Sequence, residues 1–144
     1  MISEILNILF PVPQQTPAIR IDREVLKEQL TSTFHGADIK LSDPSYKLVD
    51  IGHIQKFLER NSGSERKYIT TSNDCDDFSF ILMGDVTRWD PDLAFGIAWG
   101  YNPSGTYHAF NMAIDTTEEV QIVEPQSDEI YVNTEEWDVR FVLM

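Results

Sequence analysis

The 144-residue sequence predicts an α+β fold, with helices in the N-terminal half packed on a C-terminal antiparallel sheet. Up to about Thr87 the apolar residues recur at helical spacing. From Leu93 onward they alternate or run continuously, as strands do. Turn-forming clusters at residues 102–105 and 116–119 join consecutive apolar runs, which makes the neighbouring strands antiparallel. Residues 1–144 fit one domain, with 1–19 as an extended lead-in set by Pro11, Pro13 and Pro17.

Each element has its own signal. Asp22 precedes Val25, Leu26, Leu30 and Phe34, which predicts a capped helix over 23–33. His35-Gly36 ends it. Ile39 and Leu41 alternate as a short strand, and Ser42-Asp43-Pro44-Ser45 is a turn. Residues 46–60 hold a second helix with Ile51, Ile54, Phe57 and Leu58 inward, and 61–64 form a loop. Residues 68–71 are extended. Asn73 or Asp74 then caps a third helix to about Thr87, with Phe78, Ile81 and Leu82 buried. Residues 93–99, 107–114, 120–123, 130–132 and 139–143 are the expected strands.

Charge narrows the partners. The formal net charge is −13, which opposes nucleic-acid binding because phosphate contacts need Lys and Arg. Between Arg88 and Arg140 there is no Lys or Arg, while carboxylates recur throughout. That stretch is either a solvated acidic face or, with Asp74, Asp76 and Asp77, the surroundings of a divalent cation. Numerous hard oxygen donors suit calcium. No apolar run reaches membrane-spanning length, so no membrane partner is expected. Residues 1–10 lack a basic leader and a small-residue cleavage site, and the single cysteine forms no internal disulfide. A cytoplasmic or phage-encoded origin follows as an expectation.

The single cysteine, Cys75, lies in Asn73-Asp74-Cys75-Asp76-Asp77-Phe78 at the start of the third helix. A helix N-terminus favours a thiolate through its free N–H groups and dipole. His108 follows in a strand-like run and Glu124 in the next. Both stand eight residues from Thr116, so a turn centred there places them opposite each other on one sheet face. Thiol, imidazole and carboxylate can serve as nucleophile, base and orienter. A buried thiol is more often an inert small hydrophobe, but four polar neighbours are a poor setting for a core residue. The carboxylates of Asp74, Asp76 and Asp77 oppose a thiolate unless a cation offsets them. His35 and His53 read as surface residues, and Trp89, Trp99 and Trp137 as core or cleft wall.

The blocks Asp74-Cys75-Asp76-Asp77-Phe78-Ser79, His108-Ala109-Phe110-Asn111 and Val123-Glu124-Pro125-Gln126 resemble the C-terminal papain-like domain of the Marasmius mushroom agglutinin family, with its bacterial and phage relatives. The resemblance spans roughly residues 46–132. It implies a papain-like fold and a calcium-activated cysteine protease, with Cys75 as nucleophile, His108 as base, Glu124 as orienter, and Asp76 and Asp77 as calcium ligands. The sequence departs from papain-like enzymes in lacking a Gln shortly before Cys75 for the oxyanion hole. Thr71, Ser72 and the Cys75 amide are the substitutes.

The expected function is therefore a cysteine-dependent hydrolase, a calcium-conditioned peptidase acting through a thioester on a peptide or protein substrate. A second copy of the chain is a further expected partner. The alternatives are a catalytically silent binding or accessory module of a phage or prophage, and a cell-wall amidase.

Overall fold

A computed structural model describes residues 18–61, 69, 74–132 and 135–144. Residues 1–17 of the lead-in, 62–64 of the loop, 68 and 70 of the extended approach, and Thr71, Ser72 and Asn73 lie outside the described residues.

The chain runs β1 (Arg20–Asp22), α1 (Arg23–Thr33), β2 (Asp38–Lys40), β3 (Ser45–Lys47), α2 (Ile51–Arg60), α3 (Cys75–Trp89), β4 (Phe95–Tyr101), β5 (Tyr107–Ile114), β6 (Val120–Glu124), β7 (Glu129–Tyr131) and β8 (Asp138–Leu143). Six strands form one mixed sheet in the order β2-β8-β4-β5-β6-β7, and β1 pairs with β3 in a small antiparallel ribbon.

Two features correct the expected architecture. The sheet is mixed, because β2 pairs parallel to β8, with Asp38 beside Phe141 and Lys40 beside Leu143. The N-terminal half is also not a helical layer: it supplies β1, β2 and β3. Tyr46, expected to open the second helix, is instead the centre of β3, opposite Ile21. The Tyr46 ring is buried and its hydroxyl donates to the Met144 carbonyl at 3.2 Å. A buried phenol needs such a partner, and the strand provides it. Helix α2 begins only at Ile51, where the Asp50 carboxylate accepts from the His53 amide at 3.2 Å.

The core draws on the sheet and all three helices. Leu26 and Leu30 of α1, Ile54, Phe57 and Leu58 of α2, and Leu82 and Val86 of α3 are buried with Phe110, Met112, Ile122 and Val142 of the sheet. Phe57 stacks on Trp89 at 4.6 Å, tying α2 to the end of α3. The part-buried ion pair of Lys47 with Asp90 fastens β3 to the end of α3. Gly96 lets β8 approach closely: a Cβ there would lie 2.2 Å from the Leu143 carbonyl oxygen.

Strand β5 is the centre of the candidate site. Its side chains alternate between two faces. Asn111 faces α3, donating to the Ser79 carbonyl at 3.0 Å, and Ala109 shares that parity. His108 and Phe110 point the other way, and Phe110 packs against Trp137 with ring centres 4.7 Å apart.

Candidate functional site

Asp74 precedes the first turn of α3 and its carbonyl accepts from the Phe78 amide at 3.1 Å. Asp77 reaches back to accept from the Asp74 amide at 3.1 Å. This capping interaction fixes the helix start and leaves Cys75 as its first residue. The thiol is half-buried. Its sulfur accepts from the Ala109 amide at 3.5 Å.

The thiol reaches β5 where that strand loses a neighbour. The β5–β6 ladder runs from Ile114 opposite Val120 to Asn111 opposite Val123 and stops there. Beyond that point the Ala109 N–H is taken by the Cys75 sulfur.

His108 Nε2 and Glu124 Oε2 are 2.5 Å apart, and both side chains are mostly covered, at 15 and 16% exposed. The second Glu124 oxygen accepts from the Gln126 amide at 3.2 Å. With Nε2 engaged by the carboxylate, Nδ1 is the ring nitrogen left for another partner. The structure thus joins His108 to Glu124, and brings Cys75 to the residue following His108. The hydrogen bond that ties the thiol to β5 goes to the main chain of Ala109.

The register differs from an eight-and-eight placement about Thr116. Asn111 opposite Val123 and Met112 opposite Ile122 centre the hairpin on Thr117. Glu124 is therefore one diagonal step from His108 on the same face. Asp115 sets that turn: its carboxylate accepts from the Thr117 amide at 2.8 Å, the Thr117 hydroxyl at 2.6 Å, the Glu119 amide at 3.0 Å and the Gln121 amide group at 2.8 Å. Burial works to raise the Asp115 pKa, but these hydrogen bonds together hold it below the usual carboxylate value.

His108 and Glu124 also line a cleft of about 720 Å³. Trp137 and Tyr131 supply aromatic wall, with rings 6.3 Å apart. Asn102 and Ser104 come from the β4–β5 loop, and Glu136 from the segment before β8. Sequence reasoning placed Trp137 as a core or cleft-wall residue, and missed Asn102, Ser104, Tyr131 and Glu136. Their meeting is set by the strand order, which no local pattern encodes.

The acidic first turn holds together. Ligand atoms of Asp74, Asp76 and Asp77 lie within 4.8 Å of one another, and all three residues are half-buried. Three carboxylates at that spacing are compatible with one calcium ion, whose oxygen ligands sit at about 2.3–2.6 Å. One oxygen of Asp76 and one of Asp77 also accept backbone N–H groups. Among the described residues no helix is long and apolar enough to cross a membrane.

No family model matches the chain, and no curated protein matches it. Solved structures do. A structure described as the PSL1a-E64 complex is 21% identical, with a TM-score of 0.76 over 87% of this chain and 51% of that one. The Polyporus squamosus lectin, bound to the human-type influenza-binding epitope Neu5Aca2-6Galb1-4GlcNAc, is 20% identical, with a TM-score of 0.73 over 87% of this chain and 49% of that one. The chain spans about half the length of these neighbours. At this identity the likeness establishes the fold.

These neighbours correct several expectations at once. The fold is that shared with the Polyporus squamosus lectin, in place of a papain-like domain of the Marasmius agglutinin family. The expected calcium-conditioned cysteine peptidase, its amidase variant and its peptide substrate give way with that assignment, because the named neighbour is a lectin holding a glycan.

Proposed function

We propose that this chain is a carbohydrate-binding domain whose ligand seat is the cleft beside His108 and Glu124. The observation that carries this reading is the make-up of the cleft: Trp137 and Tyr131 offer flat apolar surface, and Asn102, Ser104, Glu124 and Glu136 offer polar groups around it. A sugar ring needs both, since its C–H face packs on an aromatic ring while its hydroxyls need hydrogen-bond partners. The glycan held by the Polyporus lectin supports the same ligand class.

The charge sets a preference within that class. Glu124 and Glu136 line the cleft, and the sequence has no Lys or Arg between Arg88 and Arg140. A sialylated glycan brings its own carboxylate into that field, and like charges repel. The preferred ligand is therefore a neutral saccharide. The test is calorimetric titration with Galβ1-4GlcNAc and with its sialylated form. Tighter binding of the neutral sugar, abolished by Trp137→Ala, is expected. Absence of binding by either sugar at about 10 mM, well above the ~1 mM dissociation constant of a weak site, would overturn the reading.

A second reading concerns the thiol and is favoured by the paired His108–Glu124 side chains and by the place of Cys75 at a helix N-terminus. Cys75 is a nucleophile toward electrophilic ligands, His108 its base and Glu124 the orienter of the imidazole. The E64 complex of PSL1a supports such a ligand in this fold. Asp74, Asp76 and Asp77 bind calcium, which offsets the negative charge beside the thiol. The test is mass spectrometry after exposure to E64, an epoxide that alkylates thiols. One adduct on Cys75, lost in His108→Ala, is expected; equal labelling of both proteins would remove the assigned roles.

A further inference from the structure

We infer that the cleft beside His108 and Glu124 favours a saccharide bearing a free, protonated amino group, held against Trp137 and Tyr131 with Glu136 as its counter-ion. This rests on the reading of the cleft as a sugar seat and extends its electrostatic order by one step. A sialylated glycan stands lowest, an uncharged one above it, and a cationic amino sugar above both.

The lining supplies the sign of the field. The wall of the cleft is built from residues between Asn102 and Trp137. They fall inside the stretch from Arg88 to Arg140 that contains no Lys or Arg. Among the described lining residues His108 alone can carry a positive charge, and it is paired with Glu124. A protonated imidazole cancels that carboxylate and no more. Glu136 remains, and Glu129 adds to it through Tyr131, whose hydroxyl donates to the Glu129 carboxylate. That hydrogen bond, burial, and the charges of Glu129 and Glu124 all push the Tyr131 phenol above its usual pKa. Carboxylates on β6 and β7 therefore act together on one ring of the cleft.

The polar groups also have a direction. Carboxylates accept hydrogen bonds and do not donate them. Asn102 Oδ1 already accepts from the Ser104 amide at 3.1 Å, the Ser104 hydroxyl at 2.7 Å and the Thr106 amide at 3.0 Å. Its acceptor capacity is spent inside the loop, which leaves its side-chain nitrogen for a sugar hydroxyl. An ammonium brings three N–H donors and a charge to Glu136 and Glu124. An N-acetyl group brings one donor, no charge, and a carbonyl that needs donors the carboxylates lack.

Carboxylates alone would attract any cation. The aromatic wall narrows the class to an organic ammonium on a flat ring. The Trp137 and Tyr131 rings stand 6.3 Å apart and 43° inclined. A cation within about 6 Å of such a ring centre is drawn to the π face. Phe110, fully buried, backs Trp137 at 4.7 Å and holds that wall in place.

The experiment is calorimetric titration of the full chain with Galβ1-4GlcN and with Galβ1-4GlcNAc at about pH 6, where an aliphatic amine is protonated. The amino sugar is expected to bind about tenfold more tightly at ~20 mM salt, with the advantage falling several-fold at ~0.5 M. In Glu136→Gln the ratio of the two affinities should fall toward one. Trp137→Ala should abolish binding of both sugars; should that variant not fold, Tyr131→Ala is read in the same way. Equal or weaker binding of the amino sugar, with the N-acetyl sugar bound, would overturn this inference and leave the sugar seat standing. An advantage that survives both Glu136→Gln and high salt would overturn the role of Glu136. Amino-sugar binding that survives loss of the aromatic wall would place the amine on the acidic surface at large and overturn the inference. Binding of neither sugar at about 10 mM would overturn the sugar seat itself, and this inference with it.

Discussion

Glu124 lies diagonally across the β5–β6 ladder from His108, on the same face, and still reaches its Nε2 at 2.5 Å. A diagonal pair requires a long side chain, since Cβ atoms in that relation are about 7 Å apart. Glutamate spans the gap where aspartate would not. Glu124→Asp should therefore behave as Glu124→Ala does in thiol labelling. Both are expected to slow alkylation of Cys75 as much as His108→Ala, about tenfold, and His108→Ala/Glu124→Ala should be no slower than either single variant. Rate constants for the wild type and the four variants check this. Additive losses would show that the two residues act apart.

The Asp115 turn sets the β5–β6 register and gives a pH dependence with a definite sign. Its folded pKa lies below the unfolded value of 3.8, through hydrogen bonds that outweigh burial. Its contribution to stability is thus complete above the unfolded pKa and is lost as pH falls through the folded pKa. Asp115→Asn should cost about 2 kcal/mol at pH 7. Denaturant melts at a series of pH values should show the gap to wild type close below pH 3.8.

Lys47 and Asp90 form an ion pair with side chains 17 and 3% exposed. Asp90→Leu leaves the ammonium without this partner and should destabilise by about 3–5 kcal/mol, whereas Lys47→Met/Asp90→Leu should recover most of the loss. Urea unfolding of the single and double variants decides the matter. A double variant no better than the single would show that the pair is not the source.

Calcium should raise the melting temperature if Asp74, Asp76 and Asp77 hold it. At a hundredfold excess over its dissociation constant the ion stabilises by about 2.7 kcal/mol. Asp76→Asn/Asp77→Asn should abolish the calcium-dependent rise and change the metal-free melting temperature little, because relief of like-charge repulsion offsets the loss of negative charge at the N-terminus of α3.

What the sequence disclosed depended on range. Helix α1 was legible over its whole length, because Asp22 and the spacing of Leu26 and Leu30 are local signals. Strand β5 was legible for the same reason. The parallel pairing of Asp38–Lys40 with β8 was not, since three residues carry no register and the partner lies a hundred positions away. Tyr46 was misplaced because its apolar ring fits a helical pattern begun by Ile51, and only β1 pulls it into a strand. In the site, the shared face of His108 and Glu124 was readable from parity alone. The cleft was not, because Asn102, Tyr131 and Trp137 meet only through the strand order. Asn111 did leave a trace: it is the one amide within the apolar run of β5.

The central claim is that the cleft beside His108 and Glu124 is a seat for a neutral sugar. Nitrogen-15 spectra recorded during titration with Galβ1-4GlcNAc test it most directly. The predicted result is saturable shifts of the Trp137 indole N–H and of the amides of Asn102, Ser104, His108 and Tyr131, with Phe80, which packs on Trp99 away from the cleft lining, unmoved. Spectra that do not change up to about 10 mM sugar, or shifts that centre on Phe80 and leave Trp137 in place, would contradict it.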